Sequence, residues 1–244
     1  MGAVSSPPDT PVPGRAGSCH EGPGYDGPGC EGPGYGGEAV TGRALDQRRA
    51  IDQYRATSGH RAVVVVPVKA FAHAKMRLAP VLGPEQRAAL ARKMAEHVLA
   101  AAAPLPVVVV CDDEDVATWA RNQGARPLPE PGLGLNGAVN AAVTLLGAEG
   151  YQRFVVAHAD LPLAHDLPRL AEVQGIALVP DRSEEGTNVI SLPAGCGFRF
   201  AYGPGSFSRH KQEAQRTGLA WRVIHDPGLA WDVDFPSDMT AVTP

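Results

Sequence analysis

The clearest pattern along the chain is a series of short, unbroken apolar runs separated by stretches of helical periodicity. Ala62-Val-Val-Val-Val66 and Val107-Val-Val-Val110 are β-branched throughout, the mark of strands buried on both faces. Between them, Pro84 to Ala103 reads as a helix, with Pro84 suited to a first turn and Leu90, Met94 and Val98 recurring at helical spacing. The alternation continues. Asp113 to Gly124 predicts a helix with a glycine stop, and a third helix runs from Asn136 as N-cap to about Leu146. Phe154-Val-Val-Ala157 predicts a strand, Asp166 to Val173 a helix, and Ile176 to Val179 and Val189 to Leu192 two further strands. Ser206 to Thr217 predicts a helix closed by Gly218, after which Trp221 to Ile224 and Trp231 to Val233 complete the sheet. Strands alternating with helices in this way give an α/β fold, a single Rossmann-like domain around a mostly parallel, mixed sheet.

The first sixty residues lack this pattern. Met1 to Gly42 holds 12 Gly and 7 Pro, with an E/D-G-P-G theme in EGPGYDGPGCEGPGYGG. Glycine and proline without a collagen period indicate disorder, because too little apolar surface is available to offset the ordering of the chain. The organisation expected is a disordered Gly/Pro-rich extension over 1–58 and one folded domain over 59–244, with a short helix within Glu38 to Arg55. The extension reads either as a tether or as a dispensable addition.

Composition removes several classes of function. A net charge of −4 over 244 residues gives no broad nucleic-acid footprint. No apolar run reaches the ~20 residues of a membrane helix, and the longest candidate, Val98 to Cys111, is interrupted by Pro104 and Pro106. The N-terminus lacks a secretory layout, so a cytoplasmic protein, monomeric or homodimeric, is expected. Cys19, Cys30, Cys111 and Cys196 form no Cys-x-x-Cys pair.

Ligands of such sheets bind beyond the carboxyl ends of the strands, and candidate chemistry collects there. After the first strand, Lys69, Lys75 and Arg77 fall within nine positions, in a loop lacking both the G-x-G-x-x-G and the G-x-x-x-x-G-K-[ST] fingerprints. Such cations suit the phosphates of a nucleotide. The stretch Pro131 to Gly137, with Gly134 and Asn136, is either an ordinary turn or a close approach to a base or ribose. Asp160, in His158-Ala-Asp160-Leu-Pro162, is either a Mg²⁺ ligand at a strand end or the cap of the next helix. His158 suits packing or hydrogen bonding better than ligation. Asp232 and Asp234 alternate along a strand and share a face, with Asp234 the candidate second metal ligand, whereas Asp238 suits the first turn of the last helix. Thr187, Gly203 and Ser206 form either an anion site at a helix N-terminus or a plain helix start.

In this order the motifs VPVKAFAHAKMRL (66–78), CDD (111–113), PGLGLNGAV (131–139), HADLP (158–162), GTN (186–188), YGPGSFSRH (202–210) and DVDFPSD (232–238) resemble the 2-phospho-L-lactate/phosphoenolpyruvate guanylyltransferases of coenzyme F-420 biosynthesis. The resemblance spans Arg61 to Asp238. It implies a nucleotidyltransferase fold and a reaction in which GTP and a small phosphorylated acid give a GMP-linked diester and pyrophosphate. By the same resemblance, Lys69, Lys75 and Arg77 face the triphosphate, and Gly134 and Asn136 lie by the nucleoside. Asp160 and Asp234 hold Mg²⁺ or Mn²⁺, Thr187, Gly203 and Ser206 hold the acid, and Lys69, Lys75 and Asp160 form the catalytic set. The chain departs from the family at Met76, His158 and Thr187-Asn188, and the last departure leaves phosphoenolpyruvate, 2-phospho-L-lactate and 3-phosphoglycerate all open as acceptor. A nucleotide-sugar glycosyltransferase of similar architecture and a non-catalytic nucleotide-binding protein are the competing readings.

Overall fold

The valine runs form the centre of a seven-stranded sheet. In the computed structural model, which describes residues 61–241 together with Arg49 and Asp52 as isolated helical positions, the strands are β1 (Ala62–Pro67), β2 (Val107–Cys111), β3 (Arg126–Pro129), β4 (Arg153–Ala157), β5 (Ile176–Pro180), β6 (Thr187–Pro193) and β7 (Trp221–Val223). Their order is β3-β2-β1-β4-β6-β5-β7. The pairs β3/β2, β2/β1, β1/β4 and β5/β7 are parallel, whereas β6 runs antiparallel to both β4 and β5. The Gly/Pro-rich extension and the helix expected within 38–55 lie outside the described residues, Arg49 and Asp52 apart.

Within residues 61–241 the α-helices are α1 (Pro84–Ala101), α2 (Glu114–Asn122), α3 (Gly134–Ala148), α4 (Pro168–Ala171) and α5 (Ser206–Arg216). They cover the two faces of the sheet. Alternate strand residues point to opposite sides, so Val64, Val66, Val109 and Val155 pack with α1, α2 and α4, while Val63, Val65, Val108, Phe154 and Val156 pack with α3 and α5. Both faces are dry, which is why the central strands carry no polar alternation. A third small cluster joins Leu78, Met94 and Val233 and pins the loop after β1 to α1 and to the C-terminal segment. Among the described residues, no helix is long and apolar enough to cross a membrane.

Four local expectations are corrected. First, β3 was not expected. Its sequence, Arg-Pro-Leu-Pro, reads as a breaker, but an edge strand tolerates proline where no partner needs the missing N–H. Second, Trp231 to Val233 is not a strand: no ladder forms beside it, and Val233 N–H donates to the Asp160 carbonyl at 3.3 Å. Third, the helix expected from Asp166 starts at Pro168, because Asp166 takes a left-handed φ of 41° and Pro168 occupies the first turn. Fourth, α3 opens at Gly134, so Asn136 sits inside its first turn and is not the N-cap.

Candidate active site

The basic loop after β1 is two short 3-10 turns, Phe71–His73 and Met76–Leu78, each anchored by one apolar residue. Phe71 packs edge-on against Trp119 at 5.1 Å, and Leu78 is fully buried. Lys75, between the turns, has a φ of 53°. A left-handed backbone at a residue with a Cβ costs about 1–2 kcal/mol and persists where the surroundings enforce it. Here the surroundings are two carboxylates. Lys75 Nζ donates to Asp160 Oδ2 at 2.6 Å and to Asp234 Oδ1 at 3.2 Å, so one nitrogen bridges two carboxylates that lie far apart in sequence. Arg77 reaches the other oxygen of Asp234 at 2.7 Å and lies over the Phe235 ring.

Burial works against the Lys75 ammonium, but Asp160 and Asp234 outweigh it and raise its pKa. Burial likewise opposes ionisation of Asp160, yet Lys75 holds its carboxyl below the usual range. Asp232, on the same cleft, is pushed up to about 6 by burial and by the charges of Asp160 and Asp234. Asp160 Oδ1 is sealed from solvent with no hydrogen-bond partner. An unpaired buried carboxylate oxygen calls for a cation. Asp160 and Asp234 therefore fit a Mg²⁺ ion, which takes one or two carboxylates and completes its shell with water and phosphate oxygens. Among the described residues, no group of three or more acidic, His or Cys side chains forms a self-sufficient metal cage. Asp238 has a different task, as expected. It accepts from the backbone N–H groups of Asp234 and Phe235 at 3.0 and 2.7 Å and pairs with Arg182, fixing the turn that presents Asp234.

These carboxylates open onto a cleft of about 720 Å³. Thr187, Gly203 and Ser206 give the lining an uncharged stretch, with Asp181 and Glu185 lining the cleft beside it. Thr187 starts β6, and Gly203 and Ser206 lead into α5. Gly203 has φ 122° and Gly205 φ 69°, which side chains rarely adopt. Arg209 braces this turn, donating to the carbonyls of Ala201 and Pro204. The helix start offers fewer free amides than the sequence suggested: Ser206 N–H is taken by the Gly203 carbonyl and Phe207 N–H by that of Glu185. Thr187 Oγ1 lies 2.9 Å from His210 Nδ1. His158 packs on Tyr202, its pKa lowered by burial.

A second cleft of about 220 Å³ adjoins the first and shares Lys69, His73 and Leu135 with it. Gly134, Asp112 and Glu130 line it, and Lys69 is exposed at the junction with no ion-pair partner among the described residues. Asn136 lines neither cleft. Its amide accepts from Tyr202 N–H at 2.6 Å and donates to the Tyr202 carbonyl at 3.2 Å, so it holds the loop that carries Tyr202 and Gly203. Sequence reasoning singled out Lys75, Asp160 and Asp234, which the structure brings together, and overlooked His210. His210 lies four positions after Ser206, on the same helix face, and that spacing could have revealed it.

Comparison with known proteins gives a consistent outcome. Residues 62–243 match the family described as guanylyl transferase CofC like. The phosphoenolpyruvate guanylyltransferase of Sphaerobacter thermophilus is 36% identical over 186 residues, covering 72% of this chain and 90% of that protein. The protein of the same name from Rubrobacter xylanophilus is 39% identical over 184 residues, with coverages of 72% and 90%. The 2-phospho-L-lactate guanylyltransferase of Methanothermobacter thermautotrophicus is 33% identical over 183 residues, covering 72% of this chain and 81% of that one. Among solved structures, a protein from Desulfovibrio desulfuricans named as a nucleotide-diphospho-sugar transferase superposes with a TM-score of 0.63 at 19% identity, covering 75% of this chain and 86% of its own. A nucleotidyl transferase from Methanothermobacter gives a TM-score of 0.55 at 13% identity, with coverages of 75% and 95%. At those identities the structures speak for the fold, and the family is carried by the sequence matches: the chain belongs to the guanylyl transferase CofC-like family.

Proposed function

We propose that this protein transfers GMP from GTP to a small phosphorylated three-carbon acid, releasing pyrophosphate, with a divalent cation held by Asp160 and Asp234. The observation that carries the reading is the single Lys75 nitrogen bridging those two carboxylates at the mouth of the sheet. It draws positive and negative groups from the loops after β1 and β4 and from the C-terminal segment to one point. The names of the relatives, phosphoenolpyruvate and 2-phospho-L-lactate guanylyltransferase, indicate the class of acceptor.

An oxygen of the acid's phosphate attacks the α-phosphorus of GTP. One P–O bond forms, the bond to the β-phosphate oxygen breaks, and pyrophosphate leaves with that electron pair. The acceptor phosphate is already ionised near neutral pH, so no residue has to remove a proton. The barrier lies in repulsion between anions and in alignment, and such transfers depend on positioning and electrostatics. Lys69, exposed between the two clefts, and Arg77 supply positive charge to the triphosphate. Lys75 screens the charge that builds on the leaving oxygens while keeping Asp160 and Asp234 together. Gly134 lets the backbone approach the nucleoside. Thr187, Gly203 and Ser206 receive the acid on the uncharged stretch of the lining. A bound Mg²⁺ would add charge neutralisation and in-line geometry.

The test is pyrophosphate release from GTP and Mg²⁺ with a panel of phosphoenolpyruvate, 2-phospho-L-lactate and 3-phosphoglycerate. Turnover on one of them, dependent on the cation, is expected. Release of a nucleoside diphosphate would indicate glycosyl transfer, and the absence of turnover on any acid would remove the proposal.

A further inference from the structure

Thr187 faces the cleft from the start of β6 and is almost fully buried. Its hydroxyl lies 2.9 Å from His210 Nδ1, a distance that permits donation in either direction. The far side of the ring decides which. The backbone N–H of Ala201 donates to His210 Nε2 at 3.0 Å. An amide N–H cannot accept, so Nε2 must present a lone pair. A neutral imidazole with a bare Nε2 carries its proton on Nδ1. Nδ1–H therefore donates to Thr187 Oγ1, and the hydroxyl hydrogen is left over. Thr187 Oγ1 has no second hydrogen-bond partner among the described residues. The same amide rules out a doubly protonated ring, and burial favours the neutral form by lowering the pKa to about 4.

The ring cannot turn to escape this arrangement. It lies edge-on to Tyr202 at 4.9 Å and against Phe198 at 5.7 Å. Ala201 is itself held, since its carbonyl accepts two bonds from Arg209, and Tyr202 is clamped through its backbone by Asn136. The surroundings of His210 thus settle the fate of one hydrogen on Thr187.

We propose that His210 is a positioning residue that fixes Thr187 as a hydroxyl donor aimed into the cleft, where it selects an anionic oxygen of the phosphorylated acid. The identity of the ligand rests on the guanylyltransferase reading above, whereas the location of the proton does not. A committed donor favours a ligand that presents an acceptor at this point, and an anionic oxygen most of all.

Two measurements test this. A long-range ¹H–¹⁵N imidazole spectrum near neutral pH, with His210 assigned by the signals lost in His210→Asn, is expected to show the Nδ1–H tautomer. An Nε2–H tautomer or an imidazolium would overturn the proposal. This readout needs no turnover, so it stands apart from the failure of the functional reading, which shows instead as no pyrophosphate from any acid. In kinetics, His210→Gln keeps a polar group near the Ala201 amide and withdraws the donor to Thr187. The KM for the acid is expected to rise about tenfold or more while that for GTP stays within about twofold. His210→Asn, whose amide reaches the Nδ1 position, is expected to recover most of that loss. The double variant Thr187→Val/His210→Gln is expected to be no worse than Thr187→Val alone, because both act through one hydroxyl. Equal rises in both KM values, no recovery with Asn, or additive losses in the double variant would show a merely structural histidine.

Discussion

The two walls of the large cleft are built on opposite principles. One is charged, with Lys75, Arg77, Asp160 and Asp234 compensating each other across the sheet's carboxyl end. The other presents the uncharged Thr187 and Ser206 beside Asp181 and Glu185, with Thr187 held from behind by His210, itself fixed by a backbone amide and aromatic rings. On the first wall the partners are ions that a nucleotide and a cation can exchange. On the second they are fixed hydrogen bonds that a ligand meets as it finds them. The charged wall is therefore where rate should be set, and the second wall where the choice of acid should be set.

Substitutions along these walls can break that division. Asp160→Asn is expected to have the largest effect, a loss of about 10³-fold or more in kcat with the far-UV circular dichroism unchanged. Near-normal pyrophosphate release would remove Asp160 from the chemistry. Next comes Lys75→Met, with an expected loss of about 10²-fold in kcat/KM. It should also cost about 1–2 kcal/mol in urea unfolding, a figure discounted because Asp160 and Asp234 keep contact with solvent. Unchanged stability would mean that the bridging ion pairs contribute nothing measurable. On the second wall, Ser206→Ala should raise the KM for the acid about tenfold and leave that for GTP and kcat nearly unchanged. A matching rise in the KM for GTP would mean that the walls are not separate.

The smallest effect concerns the support behind the second wall. Glu213 on α5 accepts from the Arg199 backbone N–H at 2.9 Å, and Arg216, followed by Arg199, pulls its pKa down to about 2 against the effect of burial. A depressed carboxylate stabilises the fold above its unfolded pKa, near 4.3, and that contribution fades as pH falls toward 2. Both arginines are well exposed, so Glu213→Gln should cost under about 1 kcal/mol at neutral pH. The difference between variant and parent should shrink between about pH 4 and pH 2 in chemical denaturation. A pH-independent difference would assign the effect to the backbone bond alone.

The charged wall was also the more legible in the sequence. Lys69 and Asp160 announce themselves, because burial of the flanking valines fixes where β1 and β4 stop. What one chain could not reveal was the pairing, since Lys75 and Asp234 meet only after the sheet is assembled. The second wall was half-read. Thr187 and Ser206 stood out by type, but Asn136 read as the helix N-cap and is not: an amide bonded to a backbone 66 residues away looks, in one dimension, like a free cap. The errors in the fold have the same origin. Arg-Pro-Leu-Pro became a strand because only one of its edges is paired, and the alternation in Trp231 to Val233 reflects Trp231 and Val233 packed in the cluster with Leu78 and Met94, with no ladder beside them.

The bridging lysine has one more consequence. A site that gathers carboxylates for a metal ordinarily repels itself when the metal is stripped, and the fold around it loosens. Here the protein carries a built-in placeholder, an ammonium already seated between the two acids. Dialysis against a chelator is therefore expected to silence the protein without softening it, and restoring magnesium should bring it back at once, with no refolding to wait for.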